Sequence, residues 1–209
     1  CKLSGMPDLL MQFKDPSLID DSSFHPCVRY ARFDQDRAIS FVPPDGAFIL
    51  LSYRLTNITF APLYCRPQII FHPGGINLNI MTGLKPQNTK ALEDVRVIIP
   101  VPCIIDQVKV NCSAGQMVVD NNKKQLIWTI GNLNTTMKDS PSATGTITFA
   151  SRQEDISTNG YGALVQFKMS QTAISDIKVD AVHVKNEKYK PFKGVRYMAN
   201  SGRYEVRTC

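Results

Sequence analysis

Short hydrophobic runs, separated by turn-forming residues, recur along almost the whole chain. Apolar and polar residues alternate within these runs, which is typical of β-strands with one buried face. The helical spacing of apolar residues, at every third and fourth position, is nearly absent. The pattern therefore predicts an all-β protein, with strand-like runs at Asp8–Lys14, His25–Tyr30, Arg37–Val42, Ala47–Leu55, Leu63–Phe71, Ile76–Met81, Asp94–Pro100, Gln107–Cys112, Gln116–Val119, Gln125–Ile130, Thr144–Ala150 and Ala163–Met169.

Two turn motifs predict hairpins. Pro43-Pro-Asp-Gly46 combines a proline, which sets φ, with a glycine that tolerates a strained position. Near the end of the chain, Ala199–Gly202 separates two runs rich in Val and Tyr, Lys193–Met198 and Arg203–Arg207. Pro191 lies just ahead of the first run and indicates an edge strand. Such an edge can pair with an incoming extended peptide, whereas a hairpin that only closes a sheet has the same local pattern.

The middle of the chain is the part richest in loop residues. Clusters of Gly, Pro, Asn and Ser interrupt it at Pro73-Gly74-Gly75, Asn121-Asn122 and Ser151–Gly160. This predicts a subdomain B over residues 56–172, inserted into a subdomain A that is made of residues 1–55 and 173–209. A single continuous β-sandwich would have the same local signals.

Composition allows a buried core but identifies no partner. The chain has 209 residues, 43% of them hydrophobic, and its 24 Lys and Arg are interspersed with 18 Asp and Glu. Aromatic residues are not interleaved with basic ones as a nucleic-acid-binding sheet requires, so no nucleic-acid binding is expected. The densest basic run is either a solvated strand face or a contact with a phosphoinositide membrane surface; it comprises Lys178, Lys185, Lys188, Lys190, Lys193, Arg196 and Arg203.

Cysteine spacing predicts reduced thiols rather than a metal site. The six cysteines include no C-x-x-C pair, so zinc binding is not expected; they are Cys1, Cys27, Cys65, Cys103, Cys112 and Cys209. Their even number and the sequons at Asn57, Asn111 and Asn134 leave one alternative of another class, a secreted, disulfide-bonded adhesion-type β domain. No signal peptide or transmembrane run is visible, and cytosolic thiols are the simpler interpretation.

No motif indicates an enzyme. Phosphate-binding glycine loops, the dinucleotide-binding glycine pattern and the G-x-S-x-G elbow of hydrolases are all missing. His25, His72 and His183 are far apart and have no acidic or cysteine cluster beside them at ligand spacing. We therefore expect no catalytic residues, no metal and no cofactor. Trp128 alternates like a core-facing residue and is expected to pack inside the protein.

Five motifs are characteristic when they are taken together. They are Leu3-Ser-Gly-Met-Pro7, Ser23-Phe-His-Pro-Cys-Val-Arg29, Ser40-Phe-Val-Pro-Pro-Asp-Gly46, Ser52-Tyr-Arg54 and Tyr189-Lys-Pro-Phe-Lys-Gly-Val-Arg-Tyr197. In this order and spacing they resemble the μ-homology domain, the C-terminal half of the medium (μ) subunits of clathrin-adaptor complexes. The Lys-Pro-Phe-Lys-Gly-Val motif and the Val-Arg-Thr ending are most similar to adaptor protein complex 3.

The resemblance implies both a fold and a cellular role. The fold would be an elongated, immunoglobulin-like β-sandwich with two subdomains, the second inserted into the first. The protein would be cytoplasmic and peripheral on Golgi and endosomal membranes and coated vesicles. It would sort membrane cargo towards endosomes, lysosomes or related organelles. Its partners would include the other subunits of a heterotetrameric adaptor complex, two large and one small.

The resemblance also implies recognition of cytosolic Tyr-x-x-Φ sorting signals, where Φ is a bulky hydrophobic residue. The peptide would add as a strand beside Lys193–Tyr197, which includes Gly194, a position where the subunits of complexes 1 and 2 carry Trp. Val179, Val182 and Val195 would line the Φ pocket. Arg196 would stack on the tyrosine ring and donate to its hydroxyl oxygen. Tyr and Φ point to opposite faces of an extended peptide, as adjacent residues of a strand do.

One part of the family's tyrosine pocket has no counterpart in this chain. Its phenylalanine and aspartate lie on a strand that precedes Leu3-Ser-Gly-Met-Pro7, and its lysine aligns just before Cys1. Lys2 would share that lysine's strand face without replacing it. Because the chain opens on what resembles the end of a strand, we expect it to be a fragment of a longer protein. The alternative within the family is a structural coat subunit with a degenerate peptide pocket.

Overall fold

The computed structural model describes residues 5–55, 61–88, 90–152, 162–189 and 191–207. In these ranges the chain is almost entirely β, which confirms the predicted class; a 3₁₀ turn at Pro16–Leu18 and one short helix are the exceptions. The elements are β1 (Asp8–Phe13), β2 (Asp21–Phe24), α1 (Tyr30–Asp36), β3 (Ala38–Phe41), β4 (Leu51–Arg54), β5 (Leu63–His72), β6 (Gly75–Leu84), β7 (Leu92–Pro100), β8 (Ile105–Cys112), β9 (Gln116–Asp120), β10 (Gln125–Leu133), β11 (Ser142–Phe149), β12 (Gly162–Ser170), β13 (Val179–Lys185), β14 (Met198–Asn200) and β15 (Tyr204–Arg207). No helix in the described ranges is long and apolar enough to span a bilayer.

The chain divides into two compact units. The first comprises Cys1–Phe60 with Ala173–Tyr197, and the second comprises Ala61–Thr172 with Met198–Cys209. The sequence-based division placed residues 198–209 in subdomain A, whereas β14 and β15 pair with β12 of the second unit. The bounds proposed for subdomains A and B otherwise stay a prediction.

The first unit is built on a three-stranded antiparallel sheet in the order β13-β1-β3. A second, two-stranded sheet joins β2 to β4. All four residues of β3 are buried, and Ile39 and Phe41 pack with Leu9, Phe33 and Ile177 in one hydrophobic cluster. Burying this cluster is the main stabilising contribution to the unit. Strand β13 lies at one edge of the sheet.

Two local predictions for the first unit are wrong. The strand predicted at His25–Tyr30 is replaced by a turn and by helix α1, which ends at Arg37 in the left-handed region with φ 54°. Only Phe33 of this seven-residue helix is buried, so no apolar periodicity marks it. The hairpin at Pro43–Gly46 does not form, because β3 pairs with β1 and β4 pairs with β2. Gly46 does adopt the positive φ expected there, 83°.

The second unit contains two antiparallel sheets. One has the order β14-β12-β7-β10-β9, with β15 also paired to β12, and the other has the order β5-β6-β11-β8. Buried and more exposed positions alternate along the central strands, as a sandwich requires. Trp128 is fully buried as predicted, and its Nε1 donates a 2.9 Å hydrogen bond to the Ala114 carbonyl oxygen. Pro67 is in β5, an edge strand, where a missing N–H is tolerated.

The predicted C-terminal hairpin is also wrong. β14 and β15 lie one after the other along the same partner, with Met198 opposite Ser170 and Arg207 opposite Gly162. At the interruption between them, Ser201 donates its N–H to the Phe167 carbonyl oxygen at 2.9 Å. The chain therefore continues in one direction where the sequence predicted a reversal. Turn propensity is a local signal, and here pairing with the distant strand β12 overrides it.

Several predictions concern residues outside the described ranges. They include the role of Lys2, the first two residues of the Leu3–Pro7 motif, the sequon at Asn57 and the thiols of Cys1 and Cys209.

Candidate functional site

Among the described residues, no strand pairs with one edge of β13. The strand's other edge pairs with β1, from Asp8 opposite Lys185 to Phe13 opposite Val179, with an irregularity at the Val179 end. An unpaired edge presents N–H and C=O groups that require partners. The position of β13 therefore creates a site for further hydrogen bonding.

The segment that leads into β13 is held from two sides. The Ile177 side chain is buried in the core of the first unit, and the Tyr53 hydroxyl lies 2.7 Å from Ser175 Oγ. The main-chain N–H of Lys14 donates to the Lys178 carbonyl oxygen at 2.9 Å. These contacts fix where β13 begins.

The segment 191–197, which includes the predicted peptide-pairing residues Lys193–Tyr197, lies beside this edge. It contacts the edge through side chains. Lys193 Nζ donates a 2.6 Å hydrogen bond to the Val182 carbonyl oxygen, and the Val179 N–H donates to the Tyr197 hydroxyl oxygen at 2.8 Å. Residues 191–197 belong to no strand, so the edge strand predicted at Lys193–Met198 is wrong as a secondary-structure assignment. The two contacts are four residues apart, a spacing that places both side chains on one side of an extended chain.

A groove of about 330 Å³ opens between β13 and this segment. It brings together five of the six residues predicted for the peptide site, and Val195, which is 47% exposed, is one of them. Arg196, the sixth, does not line it. The lining residues are Val179, Asp180, Ala181, Val182, His183, Lys193, Gly194 and Val195. Three valines and the alanine make much of the wall apolar, with charged groups at Asp180 and Lys193.

Phe192 and Arg196 do not line the groove, whereas the main chain of Gly194 does. The Phe192 side chain is 98% exposed, and Arg196 is exposed as well. A Cβ atom placed on Gly194 would have a single neighbour within 4 Å, the Phe192 Cε1 atom at 3.9 Å. Sequence reasoning missed Phe192, although its place two residues before Gly194 put both on one side of an extended chain.

The main chain of Phe192–Arg196 remains unpaired. No described residue forms a hydrogen bond with its N–H or C=O groups. Because these groups are strong hydrogen-bonding sites, they can pair with another extended chain. The geometry thus combines an apolar groove with an unpaired backbone.

Sequence reasoning also missed a second cleft, in the second unit, of about 260 Å³. The loop after β10 forms one wall, where Met137 is half-exposed, and the end of β6 with the following turn forms the other. Its entrance carries Lys85 and Asp139, while Leu133 is buried at its base. No sequence motif marks it.

The described residues contain no group of three His, Cys, Asp or Glu side chains that could hold a metal ion. Burial raises the pKa of the Cys65 thiol to about 12, which keeps it protonated at neutral pH. The cysteines Cys27, Cys65, Cys103 and Cys112 are free in the structure.

Comparison with known proteins identifies the family. A sequence model of the adaptor complexes medium subunit family matches residues 1–208. The chain belongs to this family. The match covers the segments of both units, and it confirms the resemblance drawn from the five motifs.

Two similar relatives are medium subunits of the AP-3 complex. The chain is 40% identical to AP-3 complex subunit mu of Dictyostelium discoideum over 215 aligned positions, which cover 100% of this chain and 50% of that protein. It is 38% identical to human AP-3 complex subunit mu-1, with 99% and 50% covered. The chain therefore spans about half the length of the curated relatives it matches.

Solved μ-homology domains share the fold. The Fcho1 Mu homology domain of Danio rerio, solved with a bound Eps15 peptide, aligns with a TM-score of 0.60 and 16% identity over 96% of this chain and 78% of that chain. The yeast delta-COP-I mu-homology domain also aligns with a TM-score of 0.60, at 17% identity over 95% and 82% of the two chains. At these identities the likeness concerns the fold alone.

Proposed function

We propose that this chain is the cargo-recognition domain of an adaptor medium subunit and binds cytosolic Tyr-x-x-Φ sorting signals. The observation that supports this most is the apolar groove beside the unpaired main chain of Phe192–Arg196. An extended peptide that pairs with this main chain would gain backbone hydrogen bonds for affinity and use the groove for selectivity. Membership in the medium subunit family makes cargo binding the natural use of such a site.

The groove would receive the Φ residue of the signal. Val179, Val182 and Val195 offer aliphatic contacts at the position where a leucine side chain would enter. Fully burying such a side chain contributes about 1.5–3 kcal/mol. A polar residue in the same place would be buried without a partner, so the groove would select bulky hydrophobic residues.

Arg196 would serve the tyrosine of the signal. Its side chain is exposed and lies outside the groove, while Val195 lines it. Tyr and Φ are three residues apart and point to opposite faces of an extended peptide. The guanidinium would stack on the ring and donate to the hydroxyl oxygen.

Because the chain belongs to the medium subunit family, we extend the proposal to the complex in which it would act. The partners would be the two large subunits and the small subunit of an AP-3-like heterotetramer, together with a phosphoinositide-containing membrane surface. The complex would act in the cytoplasm on Golgi and endosomal membranes and coated vesicles, in transport to endosomes, lysosomes or related organelles. Since the Fcho1 structure contains a bound peptide, peptide capture is compatible with the fold.

Calorimetric titration with a Tyr-x-x-Leu peptide tests this function. We expect saturable binding that is lost when the tyrosine is replaced by alanine and when the leucine is replaced by serine. Circular dichroism of the same sample would verify the folded β structure. Equal binding of all three peptides, or no binding by the folded protein, would leave the structural coat subunit with a degenerate pocket as the better explanation.

A further inference from the structure

We propose that Phe192 is a specificity-determining residue, and that it forms with Arg196 a seat over Gly194 for the aromatic ring of the bound signal. This inference rests on the proposed function and deepens it. It assigns the recognition of the ring to a residue that touches neither β13 nor the Φ groove.

The exposure of Phe192 is the first observation. At 98% it is the most exposed large hydrophobic side chain of the described residues. No ring contact or cation–π contact engages it in that part of the chain. An aromatic ring buries a large apolar area when it meets a partner, and a second ring is a favourable one. Phe192 is thus placed to gain from contact with a ligand.

The spacing of contacts is the second observation. The side chains of Lys193 and Tyr197 bond to β13, and Val195 lines the groove. Gly194 has no side chain and lines the groove with its main chain. Phe192 and Arg196 neither bond to β13 nor line the groove. In an extended chain they share the opposite side with Gly194 between them. A signal whose hydrophobic residue enters the groove would present its tyrosine to this other side.

The space over Gly194 is the third observation. Its hypothetical Cβ would meet only Phe192 Cε1, at the ordinary contact distance of 3.9 Å. Apart from Phe192 and the adjacent residues Lys193 and Val195, no described residue has an atom within 4 Å of that Cβ position. A flat ring can therefore approach the main chain closely there.

The dimensions agree with one inserted ring. Four residues of extended chain separate the Cα atoms of Phe192 and Arg196 by about 13 Å. Favourable aromatic pairs have centroids about 4.5–7 Å apart, and a guanidinium acts on a ring within about 6 Å. A tyrosine ring above Gly194 satisfies both distances at once. Phe192 would provide the aromatic contact, and Arg196 the contact with the ring face and the hydroxyl oxygen.

A double-mutant cycle tests the inference. Calorimetric titrations would compare the wild-type protein and Phe192→Leu, each with a Tyr-x-x-Leu peptide and with the peptide in which Leu replaces Tyr. We expect Phe192→Leu to weaken binding of the tyrosine peptide by about threefold to tenfold and to leave binding of the leucine peptide unchanged. Leucine keeps the apolar volume, so the cycle isolates the contribution of the ring. Ile49→Ala, at a site 74% exposed in the same unit, is the control and should bind as wild type.

The outcomes separate this inference from the proposed function. One outcome is that the wild type binds the tyrosine peptide while Phe192→Leu weakens the binding of both peptides equally, or of neither. That result would contradict the role of Phe192 and leave the proposed function intact. If the folded wild type binds the tyrosine peptide and the leucine peptide equally, both the role of Phe192 and the proposed function are contradicted. A second measurement is proton NMR of the bound peptide, whose tyrosine ring resonances should move upfield under the ring current of Phe192 and return in Phe192→Leu.

Discussion

The ammonium group of Lys193 donates a 2.6 Å hydrogen bond to the carbonyl oxygen of Val182, and so joins the peptide-pairing segment to the free edge of β13. A charged donor makes this a strong type of hydrogen bond. With the bond from the Val179 N–H to the Tyr197 hydroxyl oxygen, it holds the segment at two points while its own main chain stays unpaired. The groove therefore depends on two side chains rather than on a β-ladder.

Replacing Lys193 by methionine should weaken peptide binding. Methionine keeps most of the apolar length of the side chain but cannot donate to the Val182 carbonyl oxygen. One of the two hydrogen bonds that join the segment to β13 would therefore be lost. We expect an affinity loss of about threefold to tenfold by calorimetry, which corresponds to about 0.6–1.4 kcal/mol, the usual net contribution of one hydrogen bond. The control is Lys185→Met, at an exposed position of β13, which should bind as wild type. Equal losses in both variants would contradict the role given to the Lys193 bond.

Replacing Val195 by serine should reduce selection of the Φ residue. The hydroxyl would enter an apolar groove and part of the aliphatic contact would be lost, so we expect binding to be about tenfold weaker. The loss should shrink when the peptide carries alanine in place of leucine. Val118→Ser is the matched control, since Val118 is 48% exposed and Val195 is 47% exposed. An undiminished loss with the alanine peptide would show that Val195 does not contact Φ.

Replacing Arg196 by alanine should act through the tyrosine hydroxyl. With a Tyr-x-x-Leu peptide we expect about tenfold weaker binding, because a charge-assisted hydrogen bond and a ring contact are lost together. A Phe-x-x-Leu peptide lacks the hydroxyl and should lose less. Arg203→Ala removes another exposed positive charge, from the second unit, and should have no effect. Equal weakening of both peptides by Arg196→Ala would contradict a hydrogen bond from the guanidinium to the tyrosine hydroxyl.

Cys65 should make folding sensitive to alkaline pH. Burial raises the pKa of its thiol from 9.0 to about 12, so the folded state holds this proton more tightly than the unfolded state. The corresponding stability is fully present below pH 9 and is lost as pH rises from 9 towards 12. Urea unfolding at several pH values should therefore show a shallower decline in Cys65→Ala than in the wild type over this window. Parallel curves would refute the effect.

The burial of individual residues was easier to predict than their neighbours in the sheets. Trp128 alternates with polar positions in its run, and the structure buries it fully with its indole N–H bonded to Ala114. Helix α1 was missed because Phe33 is its one buried residue, which leaves no repeating signal. Strand β2 was not predicted, since its residues are largely polar; its pairing with β4 makes it a strand. A lone short element depends on its neighbours more than on its own composition.

The residues of the candidate site were likewise predicted only in part from the sequence. The family resemblance indicated Val179, Val182, Lys193, Gly194 and Val195 together, and the structure places all five around one groove. The roles proposed for them in peptide binding stay predictions. The importance of Phe192 became visible only with its exposure and its distance from Gly194. Its neighbours in the sequence are compatible with either a buried or an exposed ring.

The sequence by itself determined the β class, the buried position of Trp128 and the family, because strand alternation and short motifs are properties of consecutive residues. The tertiary structure decided that residues 198–207 continue along β12 rather than fold back as a hairpin. It also decided that the segment before them meets β13 through the side chains of Lys193 and Tyr197. The physical reason is that strand pairing joins residues far apart in the chain, and its register depends on which distant edges remain unpaired once the cores have formed.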